Sequence, residues 1–418
     1  MLKKTCYIFS ALGLVLSVSC ATPPGPDIRA AAGLANAVQF RAESLPTDAP
    51  PVGNALDLPA AIERAVRQSP TLQAALAEVR AAQADARQSR LLPNPVLSVV
   101  FRYPDGGGSP VTETGLTPDL LTVLQTPRRI RAADNRLRAA SARAVAAALD
   151  VIADTEKSYH TGNALRQEMV LLEQGAGHID RLLQIARHRL DAGEGTRLDV
   201  ATLGARRAET RIDLQERRLK LTQEQLALAR LLGQPSSDTD WQQTTSLPVA
   251  APVRSEADWL AAALRKRPEI QADRWQLAAL EDRRALARLA FLEGSAAGLD
   301  AERDGDWSLG PSLAVPLPLF DWGQARRAKA HASAIAARHR LTQTVRQTVQ
   351  EVRQAHAAQA RLAAATTQAR EQLTPLQQQR VDLARAVYES GQSGITPLLL
   401  AELDLQKAQL RAVQLELR

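Results

Sequence analysis

Aromatic residues are scarce, 3% of 418 positions against 45% hydrophobic, so whatever core this chain forms is aliphatic. That shortage argues against an aromatic-rich β-sandwich and all but excludes an all-β fold. Cysteine is nearly missing as well, with only Cys6 and Cys20. Charge of one sign is not concentrated anywhere. Fifty-two Lys and Arg against forty-five Asp and Glu leave +7, spread along the chain with no basic stripe and no interleaved aromatics, which excludes a nucleic-acid partner. No phosphate-binding loop, dinucleotide fingerprint or serine nucleophile elbow is present. The six histidines, His160, His178, His188, His331, His339 and His356, form no close pair, and even His331 with His339 on one helix face lacks further ligands. No catalytic residue, cofactor site or metal site is therefore assigned, and the chain is not read as an enzyme.

What is abundant is alanine, leucine, arginine and glutamine, the mixture of long helices. The first residues are different. Lys3 and Lys4 precede an apolar run from Tyr7 to Val18 and then small residues and Cys20, the layout of an export signal over 1–19. The run is shorter than the roughly 20 apolar residues a membrane-spanning helix needs. Cleavage would leave Cys20 alone and rule out an internal disulfide. Leu16-Ser17-Val18-Ser19-Cys20 resembles a bacterial lipoprotein processing site, which makes Cys20 the candidate lipid-attachment residue; the alternative is an ordinary signal cleaved near Ala21. Residues 20–57, opening on Ala21-Thr22-Pro23-Pro24-Gly25-Pro26, read as a tether.

The remainder is one unit written twice. Leu190-Asp191-Ala192-Gly193 followed by Thr196 and Leu198-Asp199-Val200 returns as Tyr388-Glu389-Ser390-Gly391 followed by Ile395-Thr396-Pro397-Leu398. Leu58 to Arg90, with Ser69-Pro70-Thr71-Leu72, matches Trp259 to Arg288, with Arg267-Pro268-Glu269-Ile270, each proline opening a helix. The repeats cover 58–233 and 255–418, joined by a linker over 234–254. Each reads as short helix, medium helix, strand pair, very long helix, turn, medium helix.

The long helices, 128–190 and 324–388, would each run to roughly 95 Å at 1.5 Å per residue, beyond any compact domain. Gly175 with Gly177 is a blemish in the first, and Pro375 should kink the second. In the helix over 197–232, Ile212, Leu219 and Leu226 form one heptad series and Leu214, Leu221 and Leu228 another, two residues away and so roughly 200 degrees around. Such a helix needs a neighbour on each flank, as in the wall of a closed ring; a helix buried in an ordinary bundle is the other reading. The last helix, 395–418, repeats the device with Leu403, Leu410 and Leu417 against Leu398 and Leu405.

Strands are expected over 94–103, 119–126, 291–302 and 307–319. The last has apolar residues at Trp307, Leu309, Leu313, Val315, Leu317 and Leu319, an alternation fitting one face on lipid and one on a lumen over the 9 to 11 residues that cross a membrane. Phe101, Tyr103, Phe291, Trp307, Phe320 and Trp322 gather in or beside these strands, as interfacial aromatics do. Four strands cannot close a barrel, and open edges in lipid leave backbone groups unsatisfied, so other chains must supply the rest. The competing reading is a soluble pair of hairpins.

Taken in order, these segments resemble the TolC-like outer-membrane efflux proteins from Leu58 to the end. Leu91-Leu92-Pro93-Asn94-Pro95 and Val315-Pro316-Leu317-Pro318-Leu319-Phe320-Asp321-Trp322-Gly323 carry most of the likeness, and the first is most similar to the branch serving cobalt-zinc-cadmium efflux. The resemblance implies a mainly α fold with a small membrane β part: a homotrimer whose four strands per chain make a twelve-stranded barrel in outer-membrane lipid, continued by a periplasmic α-barrel. It implies a passive conduit docked to a periplasmic adaptor and an RND-type inner-membrane pump. The docking tips would be Gly193, Glu194, Gly195 and Thr196 in one turn and Gly391, Gln392, Ser393 and Gly394 in the other. Relatives narrow the pore near these tips with aspartate rings. Here the second-half positions fall on Pro397 and Leu400, which cannot ionise, and the first-half position is Asp199. Asp199 is thus the constriction candidate, or simply a helix cap; Glu402 and Asp404 are further candidates. Drug efflux or type I secretion, a periplasmic adaptor and a coiled-coil scaffold are the alternative functions.

Overall fold

The computed structural model describes residues 40–53, 55–103, 105–107, 110–239, 241–244, 254–304 and 306–417. The export signal, Cys20, the first part of the tether and, within the linker, residues 240 and 245–253 lie outside the described residues. The elements follow one order twice. After a two-residue strand β1 (Ala55–Leu56) come helices α1 (Leu58–Gln68) and α2 (Pro70–Gln88), strands β2 (Val96–Arg102) and β3 (Val111–Thr117), then α3 (Leu120–Asp191) and α4 (Arg197–Leu231). The second half, after β4 (Gln242–Gln243), has α5 (Glu256–Lys266), α6 (Pro268–Leu286), a 3-10 turn (Ala287–Leu292), β5 (Ala296–Asp304), β6 (Asp306–Ala314), α7 (Gln324–Thr367), a π segment (Gln368–Leu373), α8 (Thr374–Glu389) and α9 (Ile395–Leu417). The fold is mainly α with a small β part, and no described helix is long and apolar enough to cross a membrane.

The chain divides into two units. The unit of residues 73–147 and 262–348 holds the sheet β2-β3-β5-β6, antiparallel throughout, and the helices that enter and leave it. In it Ala86, Ala133 and Leu137 pack together, Arg90 pairs with Asp134 at 2.9 Å, and the Arg138 guanidinium lies 4.6 Å from the Trp275 ring centre.

Among its described residues, the unit of residues 41–72, 148–261 and 349–417 holds two apolar clusters. One gathers Leu56, Ala61, Ala65, Val151, Tyr159, Leu228, Leu232 and Trp241 around the parallel pairing of β1 with β4. The hydroxyl of buried Tyr159 bonds the carbonyl oxygens of Leu56 (2.9 Å) and Thr244 (2.7 Å), tying both short strands to α3. The other cluster joins α3 and α4 to α8 and α9 through Leu182, Leu183, Ala186, Leu203, Tyr388, Ile395, Leu398 and Leu399.

Several boundaries differ from the sequence expectation. Residues 120–126 are helical, the start of α3, and only Asp119 keeps a β-bridge, to Ala296; its carboxylate accepts from the Thr122 backbone N–H (3.0 Å) and the Thr122 hydroxyl (2.7 Å), capping a turn that a strand cannot keep. The second strand is Val111–Thr117 instead. Phe291 lies in the 3-10 turn, so β5 begins at Ala296, and β6 ends at Ala314, ahead of Pro316 and Pro318, which have no N–H for a ladder. Pro375 does interrupt the second long helix. The π segment widens the turn before it, the Thr374 hydroxyl donates to the Ala369 carbonyl (2.8 Å), and the proline falls in the first turn of α8, where a missing N–H costs least.

Candidate functional site

Three features have geometry relevant to function: the two-faced sheet, the paired helix reversals, and the polar cavity beside the reversals.

Residues opposite one another in an antiparallel sheet share a face. Leu97, Leu116, Leu299 and Pro311 align across all four strands, as do Val99, Thr114, Ala301 and Leu309. This face is largely apolar, with Phe101 and Trp307 toward one end. The opposite face aligns Ser98, Gly115, Asp300 and Gly310, then Val100, Glu113, Glu302 and Ser308. Arg102 is on that face too and pairs with Glu113 at 2.7 Å. A Cβ at Gly115 would come within 2.5 Å of Asp300 Oδ1, so the glycine leaves room for that carboxylate. Leu97, Phe101, Leu309 and Leu313 are exposed on the apolar face, and β2 and β6 have no partner strand on their outer edges among the described residues.

The reversals follow one recipe. Gly193 and Gly391 both have positive φ, +76° and +73°. The Gly193 N–H bonds Leu190 O (3.1 Å) and the Glu194 N–H bonds Arg189 O (2.8 Å); one repeat later the Gly391 N–H bonds Tyr388 O (3.1 Å) and the Gln392 N–H bonds Val387 O (3.1 Å). This double closure by the two residues after a helix requires a left-handed turn position, hence glycine. The entries to the next helices then diverge. Thr196 caps α4: its Oγ1 accepts from the Asp199 N–H (3.1 Å), while Asp199 Oδ2 accepts from the Thr196 N–H (3.3 Å) and hydroxyl (2.7 Å), a complete capping box. Gly195 is needed there, since a Cβ would sit 2.9 Å from Leu190 N. Gly394 and Pro397 occupy the corresponding places before and in α9 and supply no such box; the Ser393 hydroxyl donates to Gly394 O (3.2 Å).

The sequence-nominated carboxylates are not brought into one cluster. Asp199 serves the cap, and its Oδ1 has no hydrogen-bond partner among the described residues. Asp404 pairs with Arg380 at 2.7 Å. Glu402, its side chain 13% exposed, faces Arg385 at 3.4 Å and His178 Nδ1 at 3.8 Å, and its Oε2 is buried without a partner. Glu402, Arg385 and His178 line a cavity of about 150 Å³ with Gln174, Gly175 and Gln406. Gln406 donates to Leu171 O (3.4 Å) and lies against Gly175, where a Cβ would overlap its amide. The sequence marks Gly175 only as a helix blemish and leaves His178 without a partner; a glycine facing a long polar side chain is the one signal that pairs Gly175 with Gln406. Nearer the reversals the Arg189 guanidinium lies 5.2 Å from the Tyr388 ring centre, and the hydrogen bond to Tyr388 raises the arginine pKa above its ordinary value.

A sheet apolar on one face and polar on the other, joined to two helical hairpins of one design, defines a channel-type fold of the outer membrane. The family model described as outer membrane efflux protein matches residues 61–234 and 259–418, and the chain belongs to that family. Its members are channels rather than enzymes. By structure the chain is similar to the outer membrane protein VceC of Vibrio cholerae (TM-score 0.71, 21% identity, 86% of this chain and 92% of that one). It is also similar to the CmeC outer membrane channel of Campylobacter jejuni (0.71, 17%, 86% and 82%) and to the open-state MtrE outer membrane channel of Neisseria gonorrhoeae (0.62, 20%, 90% and 92%). No curated protein matches the sequence.

Proposed function

We propose that the chain is one third of a passive efflux conduit. Three copies close a twelve-stranded barrel in the outer membrane and a helical tunnel beneath it, through which an inner-membrane RND-type pump and its adaptor discharge heavy-metal cations. The observation that carries this reading is the four-stranded sheet with two faces and two unpaired edges: in lipid each unsatisfied edge group costs several kcal/mol, which closure by further strands removes. The helices add support. Ile212 and Leu219, seven residues apart on α4, are each 60% exposed, and Leu376 and Leu383 repeat that spacing on α8 with Leu383 70% exposed, so each hairpin keeps an apolar seam for a neighbour. The turns at Gly193-Glu194-Gly195-Thr196 and Gly391-Gln392-Ser393-Gly394 are the adaptor-docking tips. Asp199, with Oδ1 outside the cap, is the constriction residue, and Cys20 is the lipid attachment.

Two experiments test the reading. Purified protein in planar lipid bilayers should give discrete conductance steps, and a scaffold gives none. Deletion followed by a panel of metals, antibiotics and dyes should raise sensitivity and accumulation for divalent metals alone. Sensitivity to organic compounds alone would assign a drug-efflux role instead.

A further inference from the structure

A second cavity lies away from the reversals, between α3, α4 and the segment bearing β4. It measures about 640 Å³, within the range of small-molecule sites, and Arg166, Thr222, Gln225, Trp241 and Gln243 line it. Its polar groups are one-sided. Among the described residues, Arg166 is the only charged one in the lining, and no carboxylate pairs with it. Its Nη1 donates to Gln243 Oε1 at 2.6 Å, a neutral acceptor, and burial lowers the pKa of this half-buried guanidinium from its ordinary value. Gln243 is itself held in place: its backbone is paired with Leu56, and its side-chain oxygen would be 2.8 Å from any Cβ at Gly162, so the glycine seats it against α3. Trp241 is 5% exposed and its indole N–H has no acceptor. A desolvated cation with one neutral partner, beside a buried donor with none, both among the described residues, lowers stability unless an acceptor of opposite charge completes the set.

We propose that this recess binds a small oxyanion, of phosphate or carboxylate chemistry, gripped by the fork of Arg166 with the Trp241 N–H as a second donor. Guanidinium is suited to this, since its parallel N–H groups match two oxygens at once. The site stands apart from the conduit reading and does not depend on it.

The test uses the detergent-solubilised full chain. Inorganic phosphate and citrate are titrated by calorimetry and thermal unfolding at constant ionic strength, with chloride as the balancing ion. The wild-type chain should bind at least one of them saturably, with a rise in unfolding midpoint that chloride does not reproduce. Arg166→Gln should weaken that binding at least tenfold, and Arg166→Lys should fall between, keeping charge but not the fork. Non-saturable responses to both anions in the wild type overturn the proposal whatever the variants do, as does saturable binding that Arg166→Gln leaves unchanged. So does a third result: no anion response together with dissociation of the assembly in Arg166→Gln, which would assign the guanidinium to a carboxylate of a neighbouring copy.

Discussion

At the scale of single residues, the two turns of this protein share their exit chemistry and differ in their entry chemistry. Asp199 closes the capping box on Thr196. Asp199→Ala should therefore cost about 1 kcal/mol, the usual worth of a cap, and raise amide exchange at the start of α4; Asp199→Asn, which keeps an acceptor, should recover most of it. If Asp199 also lines the constriction, both variants will reduce the preference for cations in single-channel recordings, a change that a purely capping role does not produce. Tyr159 gives a second prediction. Burial, then the Asp57 charge, raises its pKa above the ordinary 10.0. A phenol that holds its proton longer when folded contributes stability present below about pH 10, lost as pH rises through the raised value. Alkaline unfolding should thus steepen above pH 10 in the wild type and lose that component in Tyr159→Phe, which should be less stable at neutral pH by about 1–2 kcal/mol for the lost hydrogen bonds. The glycines of both turns could be named from the sequence because a tight reversal demands them. Glu402's partner His178 could not, since it comes from α3 of the other repeat, whereas Arg385 lies just across the second turn.

At the scale of elements, the sheet offers a paired comparison. A Cβ at Gly298 would overlap the Leu116 carbonyl and crowd Thr117, whereas Gly310 on the neighbouring strand has nothing within 4 Å. Gly298→Ala should destabilise the β3–β5 pairing by about 1–3 kcal/mol, as overpacking does, while Gly310→Ala stays within about 0.5 kcal/mol; heat resistance of the assembled species on gels would separate them. Strand legibility followed the same physics. β2 and β6 could be read because apolar residues alternate along them. β3 was hidden because Val111 and Leu116 fall on opposite faces with threonines between, while Leu120, Leu121 and Val123, apolar enough to mimic a strand, begin a helix under the Asp119 cap. The π segment was beyond a periodicity argument, which could place the disturbance at Pro375 but not show how the turn before it widens.

At the scale of the whole molecule, the exposed heptad seams tie assembly to function. Leu219→Asp leaves the chain's own apolar clusters untouched, since Leu219 belongs to neither, yet puts a charge in the seam. It should leave the helical circular-dichroism signal unchanged while abolishing the trimer in native mass measurement, and conductance with it. The order of secondary structure was legible because the repeat is written twice; the need for further copies was legible in the missing strands, whereas their number came only from the family resemblance. Those unpaired outer edges of β2 and β6 also bear on how the protein is made. A newly exported polypeptide carries a greasy ribbon whose backbone is thirsty on both margins, so it can neither rest alone in lipid nor travel safely without an escort. If copies close the barrel as proposed, insertion and their meeting are one event, and a cell short of periplasmic chaperones should accumulate the chain as aggregate before any channel is missed.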